Sequence, residues 1–290
     1  MSKISFQKFH GFGNDYIVVT REAISAVTNL EAFTRAICNR HTGAGSDGIA
    51  LLDNSDNPDA DYLCRIINPD GSEVGFSGNG TRCAVAYLYR ENIWTDESLR
   101  LDTKSGIKSY DFLKRAGEAF WFRAELGKPV FETTKVPFNR LAKGQDDVRF
   151  HGDTLTDDSS GEEFPYLTLN VGNPVCAVFV ESFDFHWRTI GAAIESHVCF
   201  PTRTNVVFVK PVDESNIEIR IWERGAGETS SSGTCSIAAA VASAFTERTV
   251  REVSVRAEGG ITDALWRDDD EMLITGSAEY IFTGEWLLKE

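Results

Sequence analysis

The chain has 290 residues, and its 44 acidic side chains outnumber 29 basic ones, which gives a formal charge of −15 at pH 7. This acidity argues against nucleic-acid and anionic-membrane partners, which need a basic surface, but a few donors in one cleft would still bind a small anion. The hydrophobic content of 42% is ordinary for a globular chain. The longest strongly apolar stretch, 237–245, is about half of a membrane span, and the start lacks the apolar core of a signal peptide. We therefore expect a cytoplasmic protein.

The predicted elements alternate strands with single helices. In chain order the first half has strands at 4–9, 16–20, 49–52 and 62–67, with helices at 30–39 and 81–89 and a further strand at 119–125. The second half has strands at 167–169, 177–180, 206–209 and 217–222, with helices at 189–195 and 235–245. The Asp-, Ser- and Gly-rich stretch 146–163 between the halves is predicted to be a solvated loop.

The second half repeats the first. A shift of 155 residues aligns 65–86 with 220–241 without a gap, and six of the 22 pairs are identical, Ser77/Ser232 and Gly78/Gly233 among them. Chance gives roughly one match at ordinary composition. A repeat of this length indicates two similar domains. We expect an α+β fold in which each domain is a strand barrel or sheet wrapped around a central helix, with domains at 1–117, completed by 276–290, and 118–275.

Each copy places Ser-Gly-(Asn/Thr) just before a predicted helix. The simplest interpretation is that Ser77 and Ser232 are helix N-caps, a position that Ser favours. The free N–H groups and the positive dipole end at such a junction also bind anions, and two matched junctions would hold one carboxylate from both sides. A two-sided site suits a racemase or epimerase in which one residue removes a Cα proton and its partner delivers another. Cysteine suits this task, whereas a serine hydroxyl needs an adjacent base.

The cysteines and histidines give little support to a metal site, because no C-x-x-C or H-x₃-H spacing occurs. We expect no metal, no disulfide framework and mostly buried, unreactive thiols. The six cysteines are Cys38, Cys64, Cys83, Cys176, Cys199 and Cys235.

Seven motifs in order resemble those of the diaminopimelate epimerase family along nearly the whole chain. They occupy residues 9–16, 68–74, 78–83, 172–174, 203–206, 223–229 and 275–284. The resemblance implies two similar domains with the active site between them, inversion at an amino-acid Cα without a cofactor, and a homodimer. It also implies a diaminopimelate-like substrate, in a step toward lysine and cell wall.

The resemblance assigns substrate contacts residue by residue. It gives Asn68, Asn205 and Arg224 to the distal carboxylate, for which the Arg fork is suited. The α-carboxylate would bind the N–H groups of Gly78-Asn79 and Gly233-Thr234, and Glu223 would meet the α-ammonium. Asn14 and Asn173 complete the set, although both also follow glycine in turns, where Asn is common. Glu223 and Arg224 would otherwise be a surface charge pair.

The sequence differs from the family pattern at the catalytic positions. Its two catalytic cysteines fall at Ser77 and Ser232, and the histidine that follows its Gly-Asn-Pro motif is Val175 here. Only Glu223 remains as a candidate helper, beside Ser232. Cys83 and Cys235 do not replace the missing thiols, since Cys83 falls inside the predicted helix and Cys235 lies about one helical turn beyond Ser232.

Three accounts of the serines stay open. The protein is a divergent isomerase that uses serine; or it is an amino-acid-binding homologue without turnover; or the cysteines were replaced to trap a substrate complex. Val175, and unfamiliar neighbours such as Gly75-Phe76 and Ser230-Ser231, favour natural divergence over replacement. A further alternative is one-sided proton abstraction, as in a dehydratase or isomerase, with Glu223 assisting Ser232.

Overall fold

The computed structural model describes residues 3–142 and 148–288. The chain divides into two compact units, Met1–Glu125 with Thr275–Glu290, and Leu126–Ile274. The elements of the first stretch are β1 (Lys3–Gly11), β2 (Asn14–Thr20), α1 (Leu30–Cys38), β3 (Ile49–Asn54), β4 (Tyr62–Ile67), β5 (Glu73–Val74), α2 (Gly78–Arg90), β6 (Ser98–Asp102), β7 (Lys108–Ala116) and β8 (Ala119–Glu125).

The elements from residue 126 onward complete the fold. They are β9 (Val148–His151), β10 (Thr154–Asp157), β11 (Glu163–Asn170), β12 (Pro174–Phe179), α3 (Trp187–Glu195), β13 (Asn205–Asp213), β14 (Asn216–Glu223), β15 (Gly227–Thr229), α4 (Gly233–Phe245), β16 (Glu252–Ala257), β17 (Gly260–Trp266) and β18 (Met272–Leu287). No helix in the described part of the chain is both long and apolar enough to cross a lipid bilayer.

Eight strands of the first unit close into a barrel. β1 pairs antiparallel with β2, β2 parallel with β3, and β3 antiparallel with β4. β4 then pairs parallel with β6, and β6 and β7 each pair antiparallel with the next strand. β18 pairs with both β8 and β1, which closes the ring. The α+β class with a strand barrel in this unit is thereby confirmed.

The second unit repeats this order of pairings. β11 and β12 are antiparallel, β12 and β13 parallel, and β13 and β14 antiparallel; β14 and β16 are parallel and β16 and β17 antiparallel. Residues 126–130 contact the start of β18 and the end of β11: Leu126 N donates to Met272 O over 2.9 Å, and Val130 forms a β-bridge with Asn170. The duplication visible in the sequence is therefore present in the strand order.

Each unit has one 13-residue helix that is buried on nearly all sides. α2 packs against β1 to β4, and α4 packs against β11 to β14, β16 and β17. A helix without a polar face must lie inside a core, and the alanines that dominate α4 allow strands to approach it on every side. This packing fixes the position of both helices. It therefore also fixes the N-cap residues, Ser77 of α2 and Ser232 of α4.

Two parts of the structure differ from the sequence predictions. The stretch 146–163 is not a loop: within it β9 and β10 form an antiparallel hairpin, and residues 146 and 147 lie outside the described residues. The hairpin forms because Val148, Phe150 and Leu155 alternate along it and enter the hydrophobic core of the second unit. The first unit runs to Glu125 rather than to residue 117, since β8 pairs with β7 and a boundary at 117 would separate the two strands.

Candidate functional site

The N-terminus of α2 begins at a capping serine. Ser77 has an extended backbone, and its Oγ accepts a hydrogen bond from Gly80 N at 3.1 Å. Thr81 N donates to the Ser77 carbonyl. The N–H groups of Gly78 and Asn79 precede the first intrahelical bond and have no acceptor within the helix. The cap interpretation is therefore correct, and the cap leaves two N–H groups suited to an anion.

Ser77 has a second partner, Tyr16, which was not predicted from the sequence. The Tyr16 hydroxyl lies 2.9 Å from Ser77 Oγ, and either oxygen can donate. Tyr16 is 6% exposed. Its ring lies against Gly48 and Gly80, where an added Cβ would be 2.9 Å from the Tyr16 ring. A signal for Tyr16 was present, since residues two apart share a face of a strand and Asn14 was already a candidate.

Asn14 and Asn79 are brought together beside this cap. Asn79 Nδ2 donates to Asn14 Oδ1 at 3.3 Å, and Asn14 Nδ2 donates to Asp47 Oδ2 at 2.8 Å. Arg82, which is 1% exposed, donates through Nη1 to Asn79 Oδ1 at 3.0 Å. Burial lowers the pKa of Arg82. The two amides therefore have their orientation set by a chain of donors.

Asn68 is held differently from Asn14 and Asn79. Its Nδ2 donates to Ser72 Oγ at 3.1 Å, and its backbone N donates to the Ser72 carbonyl. The side chain thus serves a local turn, and no described hydrogen bond joins it to the Asn14–Asn79 pair.

The N-terminus of α4 repeats the cap with a carboxylate beside it. Ser232 Oγ accepts from Cys235 N at 3.4 Å and donates to Glu223 Oε1 at 2.7 Å. Glu223 is the last residue of β14. Burial raises the pKa of Glu223, and the hydrogen bond from Ser232 offsets part of that rise. A serine bonded to a carboxylate of raised pKa is a candidate acid–base pair.

Asn173 and Thr234 lie together at the same end of α4. Asn173 Nδ2 donates to Thr234 Oγ1 at 3.4 Å, and Thr234 Oγ1 is 3.3 Å from Ser232 Oγ. Asn173 Oδ1 is buried and has no hydrogen-bond partner among the described residues. A buried acceptor without a partner is costly, so this oxygen is suited to a donor on a ligand.

Asn205 and Arg224 are also joined, through the backbone. Asn205 is buried, and its Oδ1 accepts from Arg224 N at 2.8 Å. The exposed Arg224 guanidinium donates to the Thr202 carbonyl at 3.1 Å. Glu223 faces Ser232 instead, so Glu223 and Arg224 do not form the surface charge pair that their adjacency suggested.

The side chains near the missing thiols and histidine do not replace them, because all are buried. Val175 lies in β12 and is fully buried, so no titratable group stands at that position. Cys83 and Cys235 are also fully buried, and burial raises the pKa of both thiols. All six cysteines are buried, as expected for most of them, and all six are free thiols. Among the described residues, no group of three or more His, Cys, Asp or Glu side chains has a metal-binding arrangement.

Similarity to known proteins extends over nearly the whole chain. The family model for diaminopimelate epimerase matches residues 6–131 and 167–281. The diaminopimelate epimerase of Pelotomaculum thermopropionicum is 36% identical over 285 residues, which cover 97% of this chain and 98% of that protein. The diaminopimelate epimerase of Desulforudis audaxviator is 35% identical over 286 residues, or 98% of this chain and 99% of that one.

Solved structures share the fold at low sequence identity. A phenazine biosynthesis protein of the PhzF family from Bacillus anthracis has a TM-score of 0.71 at 17% identity and covers 99% of this chain and 100% of its own. A hydroxyproline epimerase from Agrobacterium vitis, with bound trans-4-hydroxy-L-proline, has a TM-score of 0.66 at 14% identity, covering 99% and 91%. These likenesses establish the architecture, and the sequence matches establish the relationship: the chain belongs to the diaminopimelate epimerase family.

Proposed function

We propose that this protein is an amino-acid Cα epimerase that needs no pyridoxal cofactor and interconverts L,L- and meso-diaminopimelate or a closely related amino acid. The observation that carries the proposal is the hydrogen bond from Ser232 to Glu223 at the start of α4. It gives a serine at a catalytic position of the family the adjacent base that a hydroxyl requires. Ser77 occupies the matching position of the first unit.

The helix starts supply the charge stabilisation that the reaction needs. Removal of a Cα proton leaves negative charge that spreads into the α-carboxylate. The N–H groups of Gly78-Asn79 and Gly233-Thr234 are the donors proposed for that carboxylate, because free N–H groups and the helix dipole favour an anion. In this proposal each unit supplies one acid–base position, and the two act on opposite faces of the Cα.

The polar side chains around the caps are proposed to hold the rest of the substrate. Asn173 Oδ1, buried and without a partner among the described residues, suits a substrate N–H such as the α-ammonium. This shifts that role from Glu223, whose Oε1 already accepts from Ser232. We propose that Arg224, with Asn205 and Asn68, binds the distal carboxylate, and that Asn14 and Asn79 contact the substrate from the first unit.

The test is proton NMR in D₂O with L,L-diaminopimelate and, separately, the meso form. We expect loss of the α-proton signal together with appearance of the other epimer. Glu223→Gln is expected to slow both processes, and Glu228→Gln is the matched control, because Glu228 lies on the same β14–β15 hairpin but pairs with Arg188. Hydroxylamine, which traps carbonyl cofactors, is expected to leave the rate unchanged.

The other outcomes separate the alternatives. Exchange without inversion would replace the epimerase by a one-sided proton-abstraction enzyme. Thermal stabilisation by the amino acid without any exchange would identify a binding homologue; ligand at ~100 times its Kd stabilises by about 2.7 kcal/mol. If neither form of diaminopimelate shows exchange or thermal stabilisation, the proposed substrate is overturned. The homodimer that the family resemblance implies is a separate proposal, tested by light scattering.

A further inference from the structure

The two capping serines have different partners. Ser232 donates to a carboxylate, Glu223, at 2.7 Å, whereas Ser77 Oγ lies 2.9 Å from the phenol of Tyr16. A serine hydroxyl by itself is too weak an acid and base to exchange protons with a Cα at neutral pH. If both caps take part in the reaction, each needs a neighbour that stores the proton.

We propose that Tyr16 is the proton-storing group of the first unit and exchanges protons with the substrate through Ser77, as Glu223 does through Ser232. This inference rests on the proposed epimerase function and names a further residue of the same reaction. Tyr16 corresponds to no motif residue singled out for chemistry; the contact with Ser77 identifies it.

The position of the phenol is tightly set, which a relay requires. The Tyr16 ring fits against Gly48 and Gly80, and a Cβ at Gly80 would lie 2.9 Å from Tyr16 Cε1 and 3.0 Å from Cζ. Ser77 Oγ is fixed from the other side by its bond from Gly80 N. Glycine at 80 therefore serves both the cap and the ring, and the two oxygens stay at hydrogen-bond distance.

The proton steps balance as follows. For the epimer whose Cα–H is on the Ser232 side, the Cα–H bond breaks and its electron pair remains on the Cα and carboxylate. The proton goes to Ser232 Oγ as the Ser232 proton passes to Glu223. On the opposite face Ser77 gives its proton to the Cα while Tyr16 gives its own to Ser77 Oγ. Exchange with water then returns a proton from Glu223 to solvent and one from solvent to Tyr16.

The partners of the two serines, a phenol at Ser77 and a carboxyl group at Ser232, differ in acid strength. An ordinary phenol holds its proton up to pH ~10, whereas a carboxyl group releases its proton at a much lower pH. In this proposal the first unit therefore supplies the proton donor of the resting protein, and the second unit supplies the acceptor. Removal of the Tyr16 hydroxyl disables one position and leaves the Glu223–Ser232 pair in place.

The experiment is Tyr16→Phe, followed by NMR in D₂O with both diaminopimelate forms. We expect inversion to fall at least 100-fold, while one form still exchanges its α-proton with retention of configuration. Tyr89→Phe is the matched control. It removes another phenol of the first unit, one that donates to the Asp96 carbonyl, and should leave inversion and exchange unchanged.

A second measurement separates proton storage from simple orientation of Ser77. The seven tyrosines are replaced by 3-fluorotyrosine, which is more acidic but nearly the same shape, in the wild-type chain and in the Tyr16→Phe chain. We expect a several-fold change in inversion rate for the wild type, and no change in the residual exchange of the variant. This arm also tests the proposal if Tyr16→Phe fails to fold.

Three results would overturn the inference, and they differ in what they say about the epimerase proposal. If the wild-type protein inverts the substrate and Tyr16→Phe does so equally well, or fluorination leaves the inversion rate unchanged, Tyr16 stores no proton although the epimerase proposal stands. If the wild-type protein exchanges no α-proton, the epimerase proposal fails and this inference fails with it.

Discussion

The Ser232 hydroxyl donates to Glu223 Oε1 over 2.7 Å, which joins the cap of α4 to the last residue of β14. Burial raises the pKa of this carboxyl group, and among the described residues no Lys or Arg forms an ion pair with it. A carboxylate kept without a cation is costly to the fold. Such a cost is typical of a group retained for its chemistry rather than for stability.

Glu223→Gln should therefore lower the activity while it raises the stability of the fold. We expect α-proton exchange to fall by about 10²–10⁴, the usual contribution of one acid–base group. The folded-state pKa of Glu223 is raised, so this group destabilises the fold increasingly as the pH rises above its unfolded pKa, and the variant should be more stable than the wild type at pH 8. Below the unfolded value of 4.5 this difference should vanish. Urea denaturation at pH 4 and pH 8 measures it; a variant that is less stable at pH 8 would contradict the prediction.

The double variant Ser77→Cys/Ser232→Cys tests whether the caps lack only a stronger acid–base group. Thiols have a free pKa near ~8.5, and helix N-termini lower it, so we expect at least tenfold faster exchange than with the serines. The measurement is the initial rate of deuterium incorporation at pH 8. Cys83→Ser and Cys235→Ser are the controls, because both thiols are fully buried and should not contribute. A double variant slower than wild type would show that the surroundings of the caps are adapted to serine.

The acid stability of the first unit should depend on Asp15. Its carboxylate contacts Lys8 Nζ and Arg40 Nη2, each at 2.7 Å. Burial raises its pKa, but the hydrogen bonds from Arg40 and Lys8 outweigh burial and lower the pKa to about 2. The folded value is below the unfolded one, so this contribution is present above pH ~4 and is lost as the pH falls to ~2; it amounts to about 2 kcal/mol.

Asp15→Asn should remove that pH dependence. Urea denaturation at pH 7, 4, 3 and 2 is expected to give a flatter curve of unfolding free energy for the variant between pH 4 and pH 2. Asp59→Asn, at an exposed position, should follow the wild-type curve. Parallel curves for wild type and Asp15→Asn would show that Asp15 does not carry this acid sensitivity.

The sequence predicted features that depend on local residues or on repetition. The capping serines follow from short-range rules, and the two-domain duplication follows from the match between 65–86 and 220–241. The Tyr16–Ser77 contact joins residues 61 positions apart, and it depends on how α2 packs against β2. The β9–β10 hairpin was not predicted, because its buried Val148, Phe150 and Leu155 lie among Asp, Ser and Gly residues, and that composition favours a loop. Pairing with β11 decided the outcome.

Arg82 is expected to contribute to substrate binding but not to the stability of the fold. It is 1% exposed and forms no ion pair with a described carboxylate, and its Nε has no hydrogen-bond partner among the described residues. Its contacts are the bond to Asn79 Oδ1 and the Phe12 ring, 5.8 Å from Cζ. A buried charge without an ionic partner carries a desolvation cost, and even a whole buried ion pair is often replaced by apolar residues of similar volume with no loss, or with a gain of 1–4 kcal/mol. We therefore expect Arg82→Met to unfold at the same or a higher urea concentration than the wild type.

The same variant should bind substrate less well. Without Arg82, nothing donates to Asn79 Oδ1 among the bonds described, and the Asn79 amide is free to rotate away from Asn14. We expect KM for diaminopimelate to rise about tenfold, the equivalent of one hydrogen bond of ~1.4 kcal/mol, with a smaller change in kcat. Steady-state kinetics and urea denaturation on the same preparation check both parts. Destabilisation by 3–5 kcal/mol with unchanged KM would instead make Arg82 a structural residue of the barrel.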